Sequence, residues 1–326
     1  MLRKLILLCA ISTLLFADGN IMNRPDGHGP AGIMADHTHQ KSEWMMSYRL
    51  MTMNMNAYVN GSSEINLDAV KSSYTMVPTN MQMNMHMVGA MWGLSDNITL
   101  ISMTAYASNS MDMIQMNQSS TMSSQGFNDL KLSALIDLSS PSHSNIRTNG
   151  KIGLSIPIGS IDEKNAAGTH LPYGMQLGSG TYDVLLGATR TYFVGDTSFG
   201  TQINGIIRMG KNKFDYRLGN QVNGNIWAQK LITDELSANI RSKITMINDI
   251  EGSDNTLSAM TLSMNPEFTT KQGSILAEVG IGGNYKPKSL KKLRVSTELL
   301  VPIYKKSNAL SLMSNSSIVF TIQQNL

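Results

Sequence analysis

The sequence predicts an all-β fold, a twelve-stranded antiparallel transmembrane β-barrel of outer-membrane type. Three observations predict it. Apolar and polar residues alternate with a period of two from residue 42 onward. The links between the alternating segments are short and long in turn, as in barrels with tight periplasmic turns and longer outer loops. And no segment after the N-terminus approaches the roughly 18 unbroken apolar residues that a membrane-spanning helix needs.

The N-terminus sets the compartment. Arg3 and Lys4 precede an apolar run from Leu5 to Phe16, and Ala17 supplies a small residue before Asp18. This is the layout of a secretory signal peptide, and the run is too short to cross a bilayer as a helix. The expected division is therefore a signal peptide at 1–17, a periplasmic N-terminal extension at 18–41 and the barrel at 42–326. Cys9, the single cysteine, falls in the part expected to be removed. That leaves no thiol for disulfides, zinc–thiolate sites or nucleophilic catalysis. Charged residues make up 15% of the chain and the formal net charge is +3, too little for a nucleic-acid footprint. The partners expected are outer-membrane lipid, the barrel assembly machinery, and a small solute or soft metal ion.

Strands are expected at about 42–56, 80–93, 97–107, 125–138, 146–158, 181–194, 198–210, 217–229, 234–248, 273–285, 291–303 and 314–326. In the fifth, Ile152, Leu154, Ile156 and Ile158 share one face, with Lys151, Gly153 and Ser155 on the other. In the eleventh, Leu293, Val295, Leu299 and Val301 oppose Lys292, Arg294, Ser296 and Glu298. Long links at 57–79, 108–124, 159–180 and 249–272 follow odd-numbered strands. Tight links such as Ser95-Asp96-Asn97 and Gly195-Asp196-Thr197 follow even ones. A final strand that ends on its apolar face can pair with the first and leave no open edge. Two places resist. Arg190 falls on an apolar face, so either it sits at the membrane interface and snorkels or the register of that strand is shifted. The 80–93 strand carries methionine on one face and Gln82, Asn84, His86, Val88, Ala90 and Trp92 on the other, so its lipid face is open to either reading.

Several local stretches carry a resemblance. Gly32-Ile33-Met34-Ala35-Asp36-His37-Thr38-His39 followed by Glu43-Trp44-Met45-Met46-Ser47-Tyr48-Arg49 is one. Pro157-Ile158-Gly159-Ser160-Ile161-Asp162, Leu171-Pro172-Tyr173 with Gln176 to Asp183, and Tyr216-Arg217-Leu218-Gly219 are others. Together they resemble a group of bacterial outer-membrane transporters, similar to the family named for the meta-pathway of phenol degradation. The resemblance implies a barrel and the passage of small, often apolar molecules; it carries over no catalytic or binding residue. Leu326 departs from the terminal aromatic common in barrels.

Methionine is the unusual component, with 25 residues. Met51, Met53 and Met55 end the first outward strand, and Met81, Met83, Met85 and Met87 begin the next inward one. Met111, Met113 and Met116 follow on the expected third connection, so all of them are expected at the extracellular mouth. Thioether sulfur selects Cu(I) over harder cations, and residues two apart on a strand are about 7 Å apart, a gap that flexible side chains close. The alternative is adaptable apolar filler or the lining for an apolar ligand. Methionine is a modest strand former beside valine or isoleucine, which filler alone does not explain. His37 and His39, with His28 and Asp36 nearby, form a possible divalent-metal pair, set against a solvated, structureless lead-in.

The expected function is a channel or transporter for small solutes, apolar or soft-metal, with a methionine-rich mouth. The alternatives are Cu(I) or Ag(I) scavenging without transport, and a lipid-modifying barrel enzyme. No nucleophile elbow, phosphate loop or metalloprotease helix is present, so no catalytic residue or cofactor is assigned beyond possible Cu(I). Inward-facing charges of both signs argue against strong ion selectivity. They include Arg49, Lys131, Lys151, Arg208, Arg217, Arg241, Lys243 and Arg294 against Asp129, Asp137, Asp183, Glu278 and Glu298.

Overall fold

The computed structural model describes residues 21–115, 118–139, 145–254, 257 and 271–326. In chain order the strands are β1 (Trp44–Gly61), β2 (Ser63–Ile65), β3 (Met76–Ser95), β4 (Ile98–Gln115) and β5 (Gln118–Phe127). They continue with β6 (Leu130–Asp137), β7 (Ile146–Ile156), β8 (Tyr182–Val194), β9 (Thr197–Met209) and β10 (Tyr216–Arg217). The last are β11 (Gln221–Leu231), β12 (Leu236–Ile247), β13 (Glu251–Gly252), β14 (Ser274–Tyr285) and β15 (Leu293–Asn325). A short helix, Leu67–Ser73, lies in the first outer connection, its N-terminus capped by the Asn66 side chain.

Antiparallel ladders run β1-β3-β4-β6-β7-β8-β9-β11-β12-β14-β15, and β15 pairs back onto β1, so the ring has no open edge. β15 supplies two staves. Its outgoing arm pairs with β14 through Ser307, and its returning arm pairs with β1 down to Asn325. The Asn325 amide donates to the Lys292 carbonyl at 3.0 Å, which holds the two arms side by side. β5 and β6 are collinear pieces of one stave, both laddered to β4. Eleven strands thus close the ring, and the doubled β15 makes twelve staves, as the periodicity predicts.

The outer surface is apolar. Ile226, Ile240 and Ile281 are 61%, 53% and 61% exposed, a surface that only lipid covers without penalty. Aromatic residues mark the two interfaces. Trp44 stacks on Trp92 at 5.8 Å near the periplasmic ends, where Tyr192, Phe199 and Tyr285 also face outward. Further out, Tyr106 meets Phe127 edge-on at 5.4 Å, with Tyr182 and Tyr304 exposed on other staves. Arg190 does point outward, near the periplasmic end of β8, with its guanidinium 5.0 Å from the Tyr192 ring centre. That is the interfacial one of the two alternatives, and the register stands.

Two expectations are corrected. The third connection is no loop at 108–124: β4 continues to Gln115 and pairs with β5 from Gln118. The alternation Met111-x-Met113 is itself a strand pattern, and the ladder continues through it. Arg217 does not face the lumen on a membrane stave. It sits in β10, which pairs with β13 outside the ring, and it bonds to Glu251. Beyond Leu50, His86 and Tyr106 the outward faces of β1, β3 and β4 turn polar, with Thr52 bonded to Asn84 at 2.9 Å. These strands therefore project past the apolar band.

Candidate functional site, a plugged lumen walled by methionine

The N-terminal extension is not a solvated lead-in. Residues 25–39 are mostly buried, and they bond to inward-facing side chains around the whole ring. The segment enters from the periplasmic end, where Gln229 of β11 donates to the His28 carbonyl at 2.8 Å. Arg294 of β15 donates to the Gly29 carbonyl at 2.9 Å. Higher up, Thr321 donates to Ala31, Arg49 to the Ile33 carbonyl at 3.0 Å and Gln202 to the Met34 carbonyl at 2.8 Å. The segment then descends, the His39 amide donating to Thr99 of β4 at 2.7 Å, and joins β1. Backbone groups that no sheet satisfies are thus met by luminal amides and guanidiniums. Small residues make the approach possible: a Cβ on Gly32 would lie 2.2 Å from an Arg241 nitrogen.

Three pairs of opposite sign form among the inward charges of the described residues. Arg241 grips Glu298 with two bonds of 2.7 Å, Lys243 bonds Glu278 at 2.7 Å, and Arg208 bonds Asp183. Such buried pairs hold shape more than they add stability.

The outer half of the lumen is occupied by the connection between β7 and β8. Asp129 accepts from the Gly159 amide (3.0 Å), the Ser179 amide (2.9 Å) and the Ser179 hydroxyl (2.8 Å). The Ser124 hydroxyl donates to the Met175 carbonyl at 2.6 Å, and the Tyr173 hydroxyl accepts from the Asp254 amide at 2.8 Å. Leu171, Tyr173, Met175 and Leu177 are buried as a result. His170, at the tip of this connection in sequence, is buried too, with Nε2 2.7 Å from Asp162.

The methionines of the expected site that lie within the described residues face inward, and register brings them together. Met55 lies opposite Met81, Met81 opposite Met111 and Met111 opposite Met122 across β1, β3, β4 and β5. Below them Met53 pairs with Met83 and Met51 with Met85. Met87 continues the same face, and Met45 opposite Met91 ends the column near the periplasmic side. The ambiguous β3 is thereby settled: Val88 is 49% exposed to lipid while Met81 and Met91 are 7% and 6% exposed. At the top, Met76, Met81, Met111, Met113, Leu171 and Met175 form one packed cluster, with Met55, Met83 and Met122 against it. Met51 packs against the cluster that Ala31 of the plug forms with Leu300 and Val319. The column therefore extends well below the mouth. Met45 shares the face of Met51, Met53 and Met55 by the parity of β1; Met91 and Met175 were not singled out by sequence, although the parity of β3 already places Met91. Met116 lies outside the described residues.

His37 and His39 are buried within the plug, beside His28. His86 instead faces outward, bonded to the Tyr48 hydroxyl at 2.8 Å. Burial, foremost, holds the His28 imidazole well below its ordinary pKa and pushes His39 down to about 3.

No protein-family profile matches the sequence, and no curated protein matches it. The resemblance to the phenol meta-pathway group thus rests on its local motifs alone. Among solved structures, the chain is similar to the COG4313 outer membrane channel from Pseudomonas putida F1. The TM-score is 0.63 at 11% identity, covering 90% of this chain and 99% of that one. It is also similar to the transport unit of the autotransporter AIDA-I from Escherichia coli, with a TM-score of 0.49, 9% identity and coverage of 90% and 92%. The first likeness agrees with the closed ring and its lipid-facing band: the chain has the fold of an outer-membrane β-barrel.

Proposed function

We propose that the protein is an outer-membrane channel for a small solute whose surface is soft or apolar, with the N-terminal plug controlling passage. The observation that carries this reading is the inward methionine column, paired in register across four strands and reaching from the outer mouth to the plug. A wall of thioethers offers many weak, equivalent contacts, which permits both binding and release. Between the two cargo classes, Ag(I) or Cu(I) is favoured by the repeated cross-strand pairs. An apolar solute is favoured by the packing of the upper methionines against Leu171.

The test is calorimetric titration of the detergent-refolded chain with Ag(I), after heat-modifiable gel migration has established folding. The variant M51L/M53L/M83L/M85L is expected to fold, because leucine conserves volume and polarity. Binding by the parent that the variant loses supports the soft-metal cargo, and Ag(I) flux into proteoliposomes then separates transport from scavenging. A folded parent that binds no Ag(I), or a variant that binds it unchanged, overturns the metal reading and leaves the apolar one.

A further inference from the structure

We infer that His28, His37 and His39 form a transition-metal site inside the plug, with the Asp36 carboxylate orienting His37. This goes beyond the channel reading and does not depend on what the barrel conducts.

Three observations carry it. The first is proximity. The His28 and His37 ring centres are 4.1 Å apart and those of His37 and His39 4.8 Å, each pair edge to face. Ligand atoms of His28, Asp36 and His37 all lie within 4.8 Å of one another. The second is unmet bonding. His28 Nδ1, His37 Nε2 and His39 Nε2 are buried and have no hydrogen-bond partner. The three residues are only 6%, 2% and 4% exposed. A buried imidazole nitrogen left unpaired is unfavourable, and three together in one place need a common explanation. The third is orientation. Asp36 Oδ1 lies 2.9 Å from His37 Nδ1, and Asp36 Oδ2 accepts from the Gly29 amide at 2.7 Å. A carboxylate on one ring nitrogen that leaves the other free to coordinate is the support metal-binding histidines use.

The chemistry selects the ion. Imidazole nitrogens suit zinc or copper and disfavour calcium or magnesium, which need mostly oxygen. Arg147, Arg294 and Arg49 also approach this region. Arg294 and Arg49 donate to plug carbonyls, and Asp26 and Asp36 offset their charge. His28 lies on the rising limb of the plug and His37 and His39 on the descending one. An ion held by all three would tie the limbs together and lock the plug in its folded form.

The experiment is titration of the refolded full barrel with Zn(II) by calorimetry, followed by Co(II) substitution read as visible absorption. One-to-one binding is expected, with at least a tenfold loss in H37Q. H86Q, whose histidine faces the lipid side, and the four-methionine variant should both bind Zn(II) as the parent does. If the histidine variants fail to fold, X-ray absorption of the zinc-loaded parent serves instead, with nitrogen or oxygen scatterers expected at about 2.0 Å. A folded parent that binds no Zn(II), unchanged binding in H28Q/H37Q/H39Q, or a sulfur-dominated shell would each overturn the site. None of these outcomes bears on Ag(I) binding to the methionine column, so the two readings fail separately.

Discussion

Arg241 of β12 and Glu298 of β15 form a two-point ion pair that passes over the strand between them. Both bonds are 2.7 Å, and the intervening β14 presents Gly280, where a Cβ would lie 2.8 Å from a Glu298 oxygen. The Gly32 amide completes the arrangement by donating to Glu298 at 3.0 Å, and Asn225 accepts from Arg241 at 2.8 Å. One buried carboxylate therefore ties the plug to the wall, and that relationship yields the first prediction.

Glu298→Gln should loosen the plug without opening the ring. It leaves a buried guanidinium without its counter-charge, a loss of about 3–5 kcal/mol in comparable buried pairs. The expected outcome is faster hydrogen exchange across residues 24–40, with heat-modifiable migration unchanged. Exchange as slow as in the parent would show that the ion pair does not hold the plug.

Gly32→Val should expel the same segment by a different route. Its first added carbon would fall 2.2 Å from an Arg241 nitrogen and 2.9 Å from a Glu298 oxygen. Larger conductance in planar bilayers is expected relative to the parent. If conductance is unchanged while the segment is displaced, the plug is not what limits passage.

Asp129→Ala should release the outer connection. The side chain accepts three hydrogen bonds from Gly159 and Ser179, and each orphaned buried donor costs about 1–3 kcal/mol. Protease cleavage between residues 160 and 178 in intact folded barrels is the expected readout, since the staves on either side keep their ladders.

Gly200→Ala tests the wall. The new carbon would meet the Trp227 ring at 2.0 Å, on a tryptophan that is 4% exposed. Overpacking of this kind costs roughly 1–3 kcal/mol, to be read as a lower urea midpoint by tryptophan fluorescence. On the opposite face, Ile240→Arg places a charge in the lipid band and should cost about 2–4 kcal/mol if the residue is near the midplane.

The sequence by itself determined the barrel. Period-two alternation needs only the identity of neighbouring residues, and short and long links need only counting, so fold class, stave number and the inward face of most strands were legible. Arg190 came out where its register placed it because strand parity is local. The extent of the strands was less legible: Met111 and Met113 were assigned to a loop because chain length alone does not reveal that β4 and β5 rise past the membrane.

Only the tertiary structure decided what fills the lumen. Nothing local in Pro25 to His39 says that its backbone bonds with Gln229, Arg294, Arg49 and Gln202, residues more than fifteen and up to 266 positions away. One hint was present, since small residues with few full charges are poor material for a solvated leader, but its partners lie on staves far along the chain. The same holds for the histidines. Spacing brought out His37 and His39, while the backbone turn that returns them to His28, with Ala35 at a φ of 59°, belongs to the folded plug. Long-range closure of the ring determines which side chains share the interior, and closure is a property of the whole sheet.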